Sequence, residues 1–375
     1  MKLYEYQGKE IFRNAGIPVP DGVVVTSPDD VDKYSGTMEL PVMLKAQVLA
    51  GKRGKAGLIQ KADNWDKIKE TVGEWIGKKF SNEKINSVLL ESPLNIEREL
   101  YAAVTIDPAS GCPIIMACGE GGMDIEELSA AKPEAIVTER VNIFKGLLPF
   151  QIRNMVADIG LKGDAARSVF KILGTMYRLF RSYDAELVEI NPLVIDAEGK
   201  VWAADAKFRI DDNALFRHKE FERGREQFDD DLEYEAFKLG LSYVALDGNI
   251  GVICTGAGLT MTTLDLIKLN GGSPANFLDF GGANYKNAAN ALKIALKIKG
   301  LKVLLLVTFG LFARADTIAE GVVQAIEEIK PKVPIIMAVR GTGEERAREM
   351  IEAIGIETYN DTESAVKSAV ELAEA

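Results

Sequence analysis

The chain has 375 residues and a net charge of −11. That length predicts two or three cores, and the acidic balance argues against nonspecific binding to nucleic acid or to an anionic membrane. Cys112, Cys118 and Cys254 form no CxxC pair and support neither a disulfide framework nor a zinc ribbon, while a single histidine, His218, excludes HExxH and clustered-histidine metal sites. The start, MKLYEYQGKEIF, lacks the apolar segment of a leader, and no apolar run reaches the roughly 18 residues of a membrane span, so a cytoplasmic location is expected.

In chain order, residues 4–15 carry helical apolar spacing that stops at Gly16, and Pro18 and Pro20 impose an extended exit. Residues 23–26 and 42–46 read as strands. Trp65, Ile68, Val72, Trp75 and Ile76 line one face of a helix opening near Asn64. Residues 88–91 supply another strand, and 100–106 and 114–117 read as neighbours in a larger sheet. Helices over about 150–183 lead into AELVEINPLVID, a turn AEGK and VWAADAK, a predicted hairpin that sets Glu189 and Asn191 beside Asp205. The charged stretch 208–231, with His218 in it, reads as an exposed connector. From about residue 232, strand-like runs at 250–255, 275–278, 303–308, 335–339 and 357–359 alternate with helical patterns, which predicts a parallel sheet covered on both faces.

Several of these positions carry chemistry. Glu189, Asn191 and Asp205 outline a magnesium-phosphate site, since Mg²⁺ takes hard oxygen donors and shares them with substrate phosphates; a solvent-facing hairpin is the alternative. The loop GKRGKAG, with Lys52, Arg53 and Lys55, follows the strand holding Lys45 and suits a flap over phosphates or a solvated turn. It has no GK[ST] close and is not a Walker loop. A lysine ending a buried strand needs a partner, and a nucleotide phosphate is a good one. Glu91 and Glu99, at strand ends, can accept from a ribose hydroxyl or an adenine amino group, or form salt bridges. In the second domain the strand at 250–255 runs into GAGLTM; Gly256, Ala257 and Gly258 bare helical amides that suit one phosphoryl group, while Met261 replaces the third glycine of a dinucleotide fingerprint and counts against NAD.

YEYQGKEIF, LKAQVLAGKRGKAG, LVEINPLV, DAK, NALFR, YVALDGNIG, GAGLTM and GGSPANFLDFGG occur in family order over essentially the whole chain and together resemble the β subunits of succinate–CoA ligase, the nucleotide-dependent succinyl-CoA synthetases. The resemblance implies an α/β architecture: a two-lobed ATP-grasp domain over 1–231, with a small lobe at about 21–99, then a flavodoxin-like, doubly wound CoA-ligase domain over 232–375. It places Lys45, Lys52, Arg53, Gly54, Glu91, Leu94 and Glu99 at nucleotide positions, Asn191 and Asp205 at magnesium positions, and Glu189 at the phosphoryl-transfer centre. It puts Gly256, Ala257 and Gly258 towards a phosphohistidine, and Thr255, Leu311, Phe312 and Ala313 at positions associated with the dicarboxylate. It further implies Mg²⁺, ATP or GTP as cosubstrate with ATP preferred, and an α subunit, as αβ or α2β2, that lends the carrier histidine and most of the CoA site.

Three departures from the pattern stand out. Thr255 replaces an asparagine, Leu311-Phe312-Ala313 replaces a smaller FGGI-R loop, and Lys52 replaces a glycine of the flap. The expected activity is therefore an ADP-forming acid–CoA ligase, with succinate as the first acid and malate or another dicarboxylate as the alternative. A Rossmann dehydrogenase and a noncatalytic nucleotide-binding scaffold are the competing classes.

Overall fold

The computed structural model describes residues 1–375 apart from 82, 124, 281–286, 310–313 and the side chains of 127, 129 and 131. It divides into two compact units, Met1–Gln227 and Phe228–Ala375.

The first unit opens with α1 (Glu5–Asn14), β1 (Gly22–Val25), α2 (Pro28–Val31), β2 (Val42–Ala46), β3 (Ile59–Ala62), α3 (Trp65–Trp75), a short ribbon of β4 (Lys79–Phe80) and β5 (Glu83–Lys84), and β6 (Val88–Glu91). Strands pair in the order β1-β6-β2-β3, all antiparallel. Asn64 caps α3 by accepting from the Lys67 N–H at 2.7 Å, and Ile68, Val72 and Trp75 bury the helix against Val42, Leu44 and Leu90. This sheet and helix make the small lobe.

The larger part follows with β7 (Ile96–Asp107), β8 (Cys112–Cys118), α4 (Ile125–Ala131), β9 (Ile136–Arg140), α5 (Pro149–Asp158), α6 (Gly163–Ser182), β10 (Ala185–Asp196), β11 (Val201–Ala203) and β12 (Lys207–Ile210). Its sheet runs β11-β10-β7-β8-β9, and β12 also pairs with β10. In α6, Val169, Ile172, Leu173, Met176 and Phe180 recur at helical spacing and press one face onto the sheet. Helix α1 lies close to the strand region after Asp205, where a Cβ on Gly8 would come 3.0 Å from that of Ala206. The predicted connector is thus strand at its start: Phe208 and Ile210 are buried while Lys207 and Arg209 are exposed, a period of two that the charges conceal.

The second unit contains α7 (Asp231–Lys238), β13 (Ser242–Ala245), β14 (Ile250–Cys254), α8 (Ala257–Leu269), β15 (Asn276–Asp279), α9 (Ala288–Ala295), β16 (Val303–Thr308), α10 (Ala315–Ile329), β17 (Ile335–Val339), α11 (Glu344–Ala353), β18 (Glu357–Tyr359) and α12 (Thr362–Glu374). Its sheet order is β13-β15-β14-β16-β17-β18. Five strands are parallel as expected; β13 is a sixth, antiparallel strand on the edge beside β15. α8 and α12 cover one face and α9, α10 and α11 the other, the doubly wound arrangement.

Candidate functional site

In the first unit, six charged side chains from α1, β2, β6, the 51–57 loop and the segment before β12 meet in one cluster. Lys45 pairs in register with Leu89, which places Glu91 two residues along β6 on the same face, within diagonal reach. Lys45 Nζ lies 2.7 Å from Glu91 Oε2 and 3.0 Å from Glu5 Oε1, and donates to the Ala204 carbonyl at 2.7 Å. Lys9 Nζ reaches the same three groups, at 2.7 Å from Glu5 Oε1, 2.5 Å from Glu91 Oε1 and 2.8 Å from the Ala204 carbonyl. Arg53 donates to Glu5 Oε2 at 2.6 Å and to Asp205 Oδ1 at 3.0 Å. Burial alone would raise the Glu5 carboxyl, but Lys45, Lys9 and Arg53 overcome it and hold the group well below the usual carboxylate range. Burial would likewise depress Lys45, and Glu5, Glu91 and Asp205 push it above an ordinary lysine instead. The partner expected for Lys45 was a phosphate; within the chain it is a pair of carboxylates, Glu5 and Glu91, and Lys45 and Lys9 between them engage both oxygens of Glu91.

The flap residues lie at the surface end of this cluster. Lys52 and Gly54 are exposed, and Lys52 has φ 66°, the left-handed region that favours glycine. This is the position where the family resemblance expects glycine. Leu94 and Glu99 are half-buried beyond β6.

Of the predicted magnesium residues, Asn191 sits on β10 and Asp205 in the link between β11 and β12. The Ala204 N–H donates to the Pro192 carbonyl at 3.2 Å, so Asn191 and Asp205 flank one hydrogen bond between β10 and that link. Asn191 Oδ1 accepts from the Gly122 N–H at 2.8 Å and its Nδ2 donates to the Met123 carbonyl at 2.9 Å. Asp205 Oδ1 accepts from Arg53 and, at 2.7 Å, from the Ala206 N–H. Among the described residues no three His, Cys, Asp or Glu side chains form a metal cage. One carboxylate and one amide oxygen fit Mg²⁺, which completes its shell with phosphate and water, and not an ion that needs an all-protein cage.

Glu189 lies on β10 opposite Ala103, its side chain 13% exposed. The Tyr101 hydroxyl donates to Glu189 Oε2 at 3.4 Å, and Lys207 Nζ is 3.7 Å from Oε1. Burial raises the Glu189 carboxyl, Lys207 opposes this, and Asp205 adds to it. Beside Tyr101 a cavity of about 420 Å³ is lined by Met116, Ile125, Glu126, Ala130 and Ile136.

His218 is not exposed as the sequence predicted. It is 8% exposed, with Nε2 2.9 Å from Asp184 Oδ2 and its ring stacked on Tyr183 at 5.8 Å. Sequence reasoning also missed Glu5, Lys9, Tyr101 and Gly122. Glu5 and Lys9 lie on the face of α1 that otherwise buries Gly8, Ile11 and Phe12, and charges on an apolar stripe were the available signal.

In the second unit β14 delivers Thr255 and Gly256, which has φ 117°, to the start of α8. Gly256 N–H donates to Asp279 Oδ1 at 2.7 Å, so that amide is taken by an acid at the end of β15. The Thr255 hydroxyl oxygen accepts from the Phe309 N–H at 3.1 Å. A Cβ on Gly258 would meet nothing within 4 Å, and Ala257 stands beside it in the first turn. Leu311, Phe312 and Ala313, and the glycines of DFGGAN, lie outside the described residues.

Two family models match the chain: an ATP-grasp domain over residues 2–195 and a CoA-ligase domain over 253–372. The chain is 42% identical over 373 residues to the ADP-forming sulfoacetate-CoA ligase subunit SauC of Bilophila wadsworthia, covering 100% of this chain and 99% of the relative. It is 41% identical over 385 residues to the ADP-forming succinate–CoA ligase subunit beta of Persephonella marina, with 100% and 99% covered. The GDP-forming succinate–CoA ligase subunit beta of Thermus thermophilus matches at 41% over 374 residues, with 99% of each covered. Among solved structures, ATP citrate lyase from Methanothrix soehngenii superposes with a TM-score of 0.77 at 18% identity over 99% of both chains, a likeness of fold.

Proposed function

Because this chain belongs to the succinate–CoA ligase β-like family of ATP-grasp CoA ligases, we propose that it is the nucleotide-binding subunit of an ADP-forming acid–CoA ligase, working with an α subunit that carries a phosphorylated histidine. The observation that carries the reading is the convergence, inside one unit, of Lys45, Arg53 and Asp205 beside Asn191 and Glu189. Two cations and two hard oxygen donors suit a metal-bound triphosphate, and phosphoryl transfer asks its protein mainly for positioning and charge neutralisation. Bound Mg²⁺ would supply that neutralisation across the phosphates. In this reading Asn191 and Asp205 hold it, Lys45 and the Lys52–Arg53–Gly54 flap turn to the phosphates, and Glu91, Leu94 and Glu99 border the nucleoside.

The single histidine of the chain is bonded to Asp184 and stacked on Tyr183, so it is badly placed as a carrier. An imidazole nitrogen of the partner attacks the terminal phosphorus and the bond to the ADP oxygen breaks. Glu189 accepts the N–H on the far side of that ring and aims the attacking nitrogen. The acid's carboxylate then takes the phosphoryl group, freeing the imidazole, and the CoA thiol attacks the acyl carbon and expels phosphate. Ala257 and Gly258 offer helix-terminal amides to the phosphorylated ring at that second stage, beside Gly256, whose own amide is held by Asp279.

The acid is a short dianion, with succinate as the first reading and malate as its near alternative. Sulfoacetate is the second reading, favoured by the departures at Thr255 and at 311–313 and by relatives with sulfoacetate-CoA ligase names at 42% and 41% identity. The test is copurification with the partner, labelling with γ-phosphate-labelled ATP and Mg²⁺, then turnover with succinate, malate and sulfoacetate. An acid-labile label on the partner is expected; a folded complex that binds nucleotide without passing label on would overturn the reading, and the acid with the highest kcat/KM decides between dianions.

A further inference from the structure

Lys9 and Lys45 present two ammonium groups to one set of acceptors: Glu5 Oε1, the Glu91 carboxylate and the Ala204 carbonyl. All four side chains are at least 90% buried. Two lysines on the same three acceptors are redundant unless one of them has to leave. Lys9 springs from the first helix and Lys45 from β2, so a movement of β2 or of the Lys45 side chain towards a ligand leaves Lys9 in place. Were Lys9 absent, the same movement would strip two buried carboxylates of their ammonium, which is costly in a low-dielectric interior.

We infer that Lys9 is the resident counter-ion of Glu5 and Glu91, a positioning residue whose presence frees Lys45 to turn to nucleotide phosphate. The inference rests on the proposal that Lys45 binds the nucleotide. It also gives Arg53 a route to the phosphates, because Lys9 keeps Glu5 neutralised when the guanidinium lets go of Glu5 Oε2. The charged groups facing the carboxylates are Lys9 on α1, Lys45 on β2 and Arg53 in the flap, with Asp205 on the far side of Arg53.

The test compares Lys9→Met with Lys45→Met in the full-length complex, using ADP as the probe and calorimetry in buffers of different ionisation enthalpy. Lys9→Met is expected to weaken ADP at least roughly tenfold and to take up about one more proton per ADP bound than the wild type, because an orphaned buried carboxylate neutralises itself. Lys45→Met is expected to lose ADP affinity, and without nucleotide the melting midpoints of both variants should fall by no more than about 3 °C, since in each the remaining lysine still serves both carboxylates. Wild-type protein that binds no ADP would sink the nucleotide reading itself. Wild-type binding with equal ADP affinity and no extra proton uptake in Lys9→Met would sink only the role of Lys9. If Lys9→Met does not fold, Lys45→Met decides: a melting midpoint reduced as severely as roughly 10 °C overturns the inference.

Discussion

Glu189 and His218 are both buried polar side chains, and their partners separate their roles. Glu189 faces Tyr101, which borders a cavity, and a surface lysine; His218 is closed in by Asp184 and Tyr183. Burial first, then Asp205, raises the Glu189 carboxyl, so its ionised form is lost at higher pH than for a free glutamate. Phosphohistidine formation should therefore fall on the acid side beginning above the ordinary glutamate range. Glu189→Gln should lower its rate about 10²-fold and erase that limb in a pH series of single-turnover labelling; an unchanged acid limb in the variant would remove Glu189 from the transfer step. His218→Asn gives the opposite pattern. Loss of the Asp184 contact and the stacked ring should cost about 1–3 kcal/mol in denaturant unfolding, with labelling of the partner unchanged within about twofold. A variant that folds as stably as the wild type but loses labelling would mean that the histidine acts directly.

Short elements hold the site together, and they are the ones the sequence conceals. Gly122 lies in the loop between β8 and α4 with φ 73°, and its N–H clasps Asn191; a Cβ there would come 2.1 Å from Glu99 Oε2. Gly122→Ala should push that loop off β7, cost about 1–3 kcal/mol from left-handed strain, and raise the KM for Mg²⁺ about tenfold through Asn191. A Mg²⁺ titration with KM unmoved would show that the clasp does not set the Asn191 amide. The periodic elements were legible: α3 with its Asn64 cap, α6, and the five parallel strands each carry their own pattern. β12 and β13 were not, because a four-residue strand at a sheet edge offers at most two buried side chains, and charges at Lys207 and Arg209 outweigh Phe208 and Ile210 in any window average. The ion cluster was half legible. Lys45 and Glu91 advertise themselves at the ends of apolar strands. Glu5 and Lys9, four apart on a helix, pair as surface ions do; only their place on the apolar stripe of α1 hinted otherwise, and the docking of β2 and β6, some 40 and 80 residues away, buries them.

The two units have separate hydrophobic cores, and only the first contains the residues proposed to grip the nucleotide. A ligand that binds one folded unit stabilises that unit by mass action, by about 2.7 kcal/mol at a hundredfold excess over Kd. For a unit of this size that corresponds to a shift of roughly 5–10 °C. Calorimetry of the full chain is therefore expected to show two transitions, with Mg·ADP moving the one that belongs to residues 1–227 and leaving the other in place. Tryptophan separates the two signals without a label, because Trp65, Trp75 and Trp202 all lie in the first unit. The fluorescence transition should move with Mg·ADP while a second, tryptophan-silent transition stays fixed. If ADP instead displaces the tryptophan-silent transition, the nucleotide binds the second unit and the assignment of Lys45, Arg53 and Asp205 falls.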